Sequence, residues 1–311
     1  MKLARTLLLL LLRGIWTSAC SQTANRFDIL ITEIMADPTP PVGLPNAEYI
    51  ELRNVSAAPV NLNGWRISDA SGTATISANF ILQPDSAVAL CSNTNAALLA
   101  GFGRSLGVPS FPSLDNDGEA LVLRSPQNRI IHFVNYSSSW YGNPAKADGG
   151  WSLEMIDVRN PCSGSSNWKA GTNPLGGTPG RLNSVNGNNT DNTPPQLKRT
   201  IMPDSVTAVL IFDESLDSAV AVSSGNYTIN NNSVLSAICL PPLFDRVQLR
   251  LATAMLPGNV VNITANNIRD CAGNTLQNNS APLGMPTTAL PLDVVVNELL
   301  FNPRSGGYDY V

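Results

Sequence analysis

The sequence predicts an all-β protein made of tandem β-sandwiches, and three observations carry that expectation. Charged residues are only 14% of the chain while Gly and Pro number 23 each, a composition poor in helix-long amphipathic stretches and rich in turns. The apolar residues fall in short runs rich in Val, Ile, Thr and aromatics, bounded by Gly, Pro, Asn or Asp. Two polar or proline-rich stretches, "NSVNGNNTDNTPP" (183–195) and "SAPLGMPTTALP" (280–291), then divide 311 residues into units able to bury separate cores.

The first 21 residues read as a signal peptide. Lys2 and Arg5 give a positive end, Leu7 to Leu12 an apolar stretch, and Ala19-Cys20-Ser21 small residues for cleavage before Gln22. Arg13 interrupts the apolar stretch, which is too short for a transmembrane span, and no other segment approaches 18 apolar residues. A secreted or outer-surface protein is expected, with lipid anchoring at Cys20 the lesser alternative. Removing Lys2, Arg5 and Arg13 takes the basic count from 19 to 16 against 23 acidic residues, a charge of −7. No nucleic-acid partner is expected at that charge.

In chain order, "DILITEIM", "EYIELRN", "WRISD", "TATIS", "AVALCS", "ALVLR" and "RIIHFVNY" are the strands of a first unit, 27–185. "NTNAALLAGFG" (93–103) is its one short helix, ending at Gly101 or Gly103. After a linker at 186–195, "VTAVLIFDE", "NYTI", "SVLSAICL", "RVQLRLA" and "VVNITA" make a second unit, 196–280, followed by a linker at 281–291. Both lengths suit Ig-like sandwiches. Residues 292–311 repeat the start of the first unit. "DVVVNELLFNP" matches "DILITEIMADP" with Asp, Glu and Pro at the same offsets, and after a shorter loop "DYV" matches "EYI". This tail is expected to be the truncated start of a second copy, belonging to neither complete sandwich.

A family resemblance rests on the "TEIM" strand, "EYIELRN", "NGW" (63–65), "PSLDNDGEALVLR" (112–124), "GGWSLEMID" (149–157) and "NPLGGTPGRLNS" (173–184). Residues 27–185 so resemble a lamin tail domain, an Ig-like module that also occurs in bacterial exported proteins. Through "IFDESLD", "NYTI" and "IRDCAGNTL" the second unit is similar to bacterial Ig-like modules of the surface-layer type. The combination resembles exported multidomain proteins of Bacteroidetes-type bacteria. With no coiled-coil rod and no basic localisation run, a role in nuclear architecture is not implied.

Chemistry is sparse. His132 is the one histidine, with no nucleophile motif such as GxSxG nearby, and reads as a surface or edge-strand residue. Glu33 recurs as Glu298, and Glu48 and Glu51 stand close by; recurrence in a repeat favours an edge charge or a backbone hydrogen bond over acid–base work. "DNDGE" (115–119) lacks the glutamate of a calcium loop and reads as a hairpin turn, and "DCAGN" (270–274) likewise as a turn. No catalytic, cofactor or metal residue is therefore assigned. Trp140, Tyr141, Trp151 and Trp168 are core anchors on one reading and a stacking surface for a glycan or protein partner on the other. The Asp-Ser-aliphatic triplets at Ser86, Ser205 and Ser218 match an O-glycosylation signal or are simply loops.

Once Cys20 leaves, Cys91, Cys162, Cys239 and Cys271 remain, an even number suited to two disulfides in an oxidising compartment. One bridge per unit, Cys91–Cys162 and Cys239–Cys271, is expected. The functional expectation is an exported, non-enzymatic interaction or spacer protein that binds a protein or glycan at the cell surface. The alternative is the non-catalytic front of a larger exported hydrolase, such as a nuclease, with its catalytic domain beyond residue 311.

Overall fold

The computed structural model describes residues 24–277 and 279–311; the expected signal peptide and Cys20 lie outside them. The first sandwich contributes β1 (Ile29–Met35), β2 (Tyr49–Asn54), β3 (Val60–Asn61), β4 (Arg66–Ser68), β5 (Thr73–Thr75) and β6 (Ile81–Leu82). It continues with β7 (Ala87–Ser92), β8 (Ser105–Val108), β9 (Ala120–Arg124), β10 (Ile130–Asn135), β11 (Leu153–Met155) and β12 (Trp168–Ala170). A six-stranded sheet in the order β12-β11-β1-β2-β7-β8 faces a four-stranded sheet, β10-β9-β4-β5, with β3 and β6 paired beside them. Ile34, Ile50, Leu52, Val88 and Leu90 from the first and Ile67, Leu121, Leu123 and Ile131 from the second form one core. The expected helix is the single turn Ala96–Leu99.

The six-stranded sheet is covered on its outer face too. Met35, Tyr49, Ala89, Cys91 and Leu99 make a small cluster there, and residues 171–185 lie over the rest of that face. All seven residues of β1 are buried as a result, which explains why "ILITEIM" reads as a continuous apolar run rather than an alternating one.

The second sandwich comprises β13 (Leu197–Asp204), β14 (Thr207–Phe212), β15 (Tyr227–Ile229), β16 (Val234–Cys239), β17 (Arg246–Leu251), β18 (Val260–Ala265) and β19 (Asn279–Gly284). Its sheets, β13-β14-β17-β16 and β15-β18-β19, enclose a separate core including Leu210, Val247, Leu249, Ile263 and Leu283. β19 corrects the expected boundary at 280. "NSAPLG" pairs with β18 from Ala265↔Asn279 to Val260↔Gly284, and buries Ala281 and Leu283 on alternate positions. Pro282 is tolerated because this is an edge strand of its sheet, where one flank needs no ladder donor.

"DNDGE" is a turn but not a hairpin: Gly118 N–H returns to Asp115 O at 3.2 Å, yet the preceding strand β8 pairs with β7 in the other sheet. The Asp-Ser triplets also have local roles. Asp217 caps the helix Ser218–Ala221 by accepting from Ala219 and Val220, and Asp204 accepts the Val206 N–H at 2.8 Å.

The tail repeats the opening of the first sandwich in structure as well as sequence. The bridge Leu300↔Tyr310 corresponds to Met35↔Tyr49. Tyr310 donates to Glu298 Oε1 at 2.8 Å, as Tyr49 donates to Glu33 Oε1 at 2.7 Å. In the tail Val294, Leu299, Phe301 and Tyr308 are exposed.

Candidate functional site: the carboxylate clasp and the junction cleft

Glu154, Glu33 and Glu51 stand side by side on β11, β1 and β2, in direct cross-strand register. All three are buried. Glu33 Oε1 accepts from Tyr49 Oη at 2.7 Å, Ser152 Oγ at 2.6 Å and Thr178 N at 2.7 Å. Glu51 accepts from Thr32 Oγ1 at 2.6 Å and Arg181 N at 3.2 Å. Glu154 accepts from Ser184 Oγ at 2.8 Å and Val185 N at 3.1 Å. Three of these donors are backbone N–H groups of the covering segment, so the carboxylates clasp residues 171–185 to the sheet. The "GGTPG" motif follows from the close approach. A Cβ on Gly177 would stand 2.5 Å from Tyr49 Oη and 2.7 Å from Glu33 Oε1, and Gly180 has φ +69° with Arg104 N 2.4 Å from its would-be Cβ.

Burial pushes the Glu33 carboxyl up to about 7, with the neighbouring Glu154 adding to it. Burial likewise raises Glu51, with Glu33 adding to it, and raises Glu154. This is a structural network, as the recurrence of Glu33 suggests, although the role is central to the sheet and not at its edge. Glu48 is similar on a smaller scale, accepting Leu114 N–H at 3.1 Å.

His132 is on an edge strand but is fully buried, not on the surface. Both β1 and β10 carry irregularities beside it, between Ile31 and Glu33 and between Ile130 and His132. Its Nδ1 accepts the Ile31 N–H at 2.9 Å, and its Nε2 lies 3.1 Å from Pro161 O. Nδ1 is thus the unprotonated nitrogen and Nε2 the donor. Burial pulls its pKa down to about 4. Both nitrogens are committed to backbone partners.

The expected disulfides are corrected. Cys162 is bonded to Cys271, with Cα atoms 6.3 Å apart, while Cys91 and Cys239 are free and buried. Cys91 is on the outer face of the six-stranded sheet among Leu99 and Ala47, and Cys239 belongs to the second core. Cys162 and Cys271 are in loops where the sandwiches meet. Sequence proximity suggested one bridge per unit; the folding of each core put one cysteine of each expected pair out of reach.

The bridge is one of several ties across the junction. The 186–195 linker is fastened through its polar side chains: Asn189 N–H to Asp157 at 3.0 Å, Asn160 to Asn189 O at 3.0 Å, and Asn274 to Asp191 O at 3.1 Å. Arg26 reaches from the first sandwich to Leu216 O and Ser215 Oγ, both at 2.9 Å. Its guanidinium lies 4.4 Å from the Phe27 ring centre and 4.0 Å from that of Phe244, and burial pulls its pKa down to about 10.

Between the sandwiches lies an apolar cleft of about 120 Å³, walled by Arg26, Phe133, Trp140, Cys162, Leu243 and Phe244 among others. The structure divides the four aromatics of the sequence reading. Trp140 and Trp168 both line the cleft, with ring centres 6.2 Å apart. Tyr141 is buried and donates to Trp151 O at 2.9 Å, and the Trp151 ring lies under Lys146 Nζ at 4.0 Å; these two anchor the fold. No local pattern marks Arg26, Phe133, Leu243 or Phe244 as joining them, because they are far apart along the chain and meet only at the junction.

Asp191, Glu214 and Asp270 bring carboxylate oxygens within 4.8 Å of one another, and burial followed by these neighbours and Asp213 pushes Glu214 up to about 8. Asp270 already accepts from Gly273 N, Asn274 N and Asn274 Nδ2. "DCAGN" is a turn built on Asp270.

Comparison with known proteins places these features. No curated protein matches the chain. The crystal structure of the N-terminal part of the bacterial S-layer protein SbsC has 15% identity over 30% of this chain and 23% of that one, with a TM-score of 0.28. The crystal structure of the S-layer protein rSbsC(31-844) gives 15% identity over 30% of this chain and 14% of that one, TM-score 0.28. The chain thus spans under a quarter of either. The family model described as Lamin Tail Domain matches residues 22–138, so the part of the first sandwich that holds β1 to β10, with Glu33 and Glu51 at the centre of its larger sheet, is similar to a lamin tail domain.

Proposed function

We propose that this chain is an exported, non-enzymatic interaction or spacer module that acts at or outside the cell surface, where it contacts a protein or glycan. The observation that carries this reading is the Cys162–Cys271 bridge, which joins two separately cored sandwiches into one unit and suits an oxidising compartment. Repetition of the opening hairpin in the tail supports modular construction, in which several weak contacts add through avidity. His132 supports the non-enzymatic part, since both its ring nitrogens are engaged and its pKa of about 4 leaves it neutral. Among the described residues no helix is long and apolar enough to cross a membrane. Expression with the native N-terminus in a Gram-negative host, followed by fractionation and non-reducing peptide mapping, tests the proposal. A bridged protein outside the cytoplasm, inert toward nucleic acids, esters and glycosides, is the expected result. Cytoplasmic retention with free thiols, or turnover lost on His132→Ala, refutes it.

A further inference from the structure

We propose that the junction cleft is a binding site for a small monocyclic aromatic carboxylate. The proposal stands apart from the surface-module reading and rests on the shape and charge of the cleft.

Its volume of about 120 Å³ is of the order of engineered apolar cavities of about 150 Å³ that take up benzene, which suits a single ring and excludes a fused pair. Phe133, Trp140, Leu243 and Phe244 supply faces against which an aromatic ring packs. Ser163 and Ser215 line the cleft too, but their hydroxyls already donate to Asn160 Oδ1 and Leu243 O, so Arg26 is the one charged group of the lining. Arg26 contributes its guanidinium, and no carboxylate lies within ion-pair distance of it among the described residues. No Asp or Glu lines the cleft, although acidic residues exceed basic ones, 23 to 19, across the chain. A partly buried cation with no carboxylate partner selects an anion, and the aromatic walls select a flat ring to carry it.

Titration of the disulfide-bonded protein with phenylacetate tests this, read by tryptophan fluorescence and by saturation-transfer NMR on the ligand. Saturable binding is expected with a Kd of about 1 mM, reasonable for ten heavy atoms. Phenylacetamide, which keeps the ring and loses the charge, should bind at least about tenfold more weakly. Arg26→Gln should weaken phenylacetate by a similar factor. Because Arg26 also joins the sandwiches, Leu243→Trp is the deciding variant. Leu243 is 40% exposed, so the larger side chain fills the cleft while the wild-type circular dichroism and melting are kept, and binding should be lost. Equal binding of acid and amide, undiminished binding by Leu243→Trp, or no saturation overturns the proposal. A peptide with a C-terminal phenylalanine that binds far more tightly than phenylacetate does so too, by making the occupant a polypeptide end.

Discussion

His132 and Glu33 act in opposite directions on stability as pH changes. The unfolded imidazole takes up a proton near 6.5 and the folded one only near 4. Between those values the unfolded chain binds more protons, so this contribution is complete above about 6.5 and lost as pH falls toward 4. The shift corresponds to at most about 3 kcal/mol. His132→Gln should show a shallower loss of stability from pH 7 to 5 than the wild type. It should also be about 2–4 kcal/mol less stable at pH 7, because a buried donor and a buried acceptor lose their partners. Urea denaturation at both pH values measures each effect. Glu33 has the reverse sign: its unfolded value of 4.5 rises to about 7 on folding, so its contribution is present below 4.5 and lost as pH rises through 7. Replacement by Gln keeps an acceptor for Tyr49, Ser152 and Thr178 without the ionisation. The stability of Glu33→Gln relative to wild type should therefore increase from pH 5 to 8, and a flat difference would contradict the assignment.

At the scale of elements, the covering segment 171–185 depends on two glycines as much as on three carboxylates. Gly177→Ala puts a methyl group against Tyr49 and Glu33, and Gly180→Ala adds a side chain at φ +69° against the Arg104 backbone. Each should cost about 2 kcal/mol or more and speed hydrogen exchange at Thr178, Arg181 and Val185, whose amides the clasp holds. Exchange at β14 and β17 in the second sandwich should not change. A uniform change in both sandwiches would argue against a local clasp. The strands themselves were legible in the sequence from short β-rich runs between turn formers. β19 was not: Pro282 and the prolines that follow the strand read as linker, and only pairing to β18 shows that Pro282 stands on an edge.

For the whole molecule, the bridge spans a sequence separation of 109, and closing a loop of that size stabilises by about 4–5 kcal/mol in the chain-entropy model. Cys162→Ala with Cys271→Ala should separate one calorimetric transition into two, one per core. A single unshifted transition would mean that Arg26 and the linker contacts suffice. The tail behaves differently from the sandwiches. A chain ending after Pro286 should melt like the full sequence and aggregate less, since exposed Val294, Leu299 and Phe301 are removed. A chain ending near Pro282 should melt lower, because that cut falls inside β19. Equal melting of the two shortened chains would remove β19 from the fold.

Fold class, two cores, the repeated hairpin and the lamin-tail resemblance were all readable from local pattern, because alternation, turn residues and fixed offsets are properties of neighbouring positions. The clasp was half readable: Glu33 and Glu298 recur at one offset, but register across three strands is needed to set Glu154 and Glu51 on either side of Glu33. The disulfide pairing, the burial of His132 and the junction cleft came only with tertiary structure. Each depends on which loops two separately folded cores bring together, and chain distance carries no information about that. Cys162 and Cys271 are far apart in sequence and bonded in space, whereas Cys91 is withheld by the face of the sheet on which its strand places it.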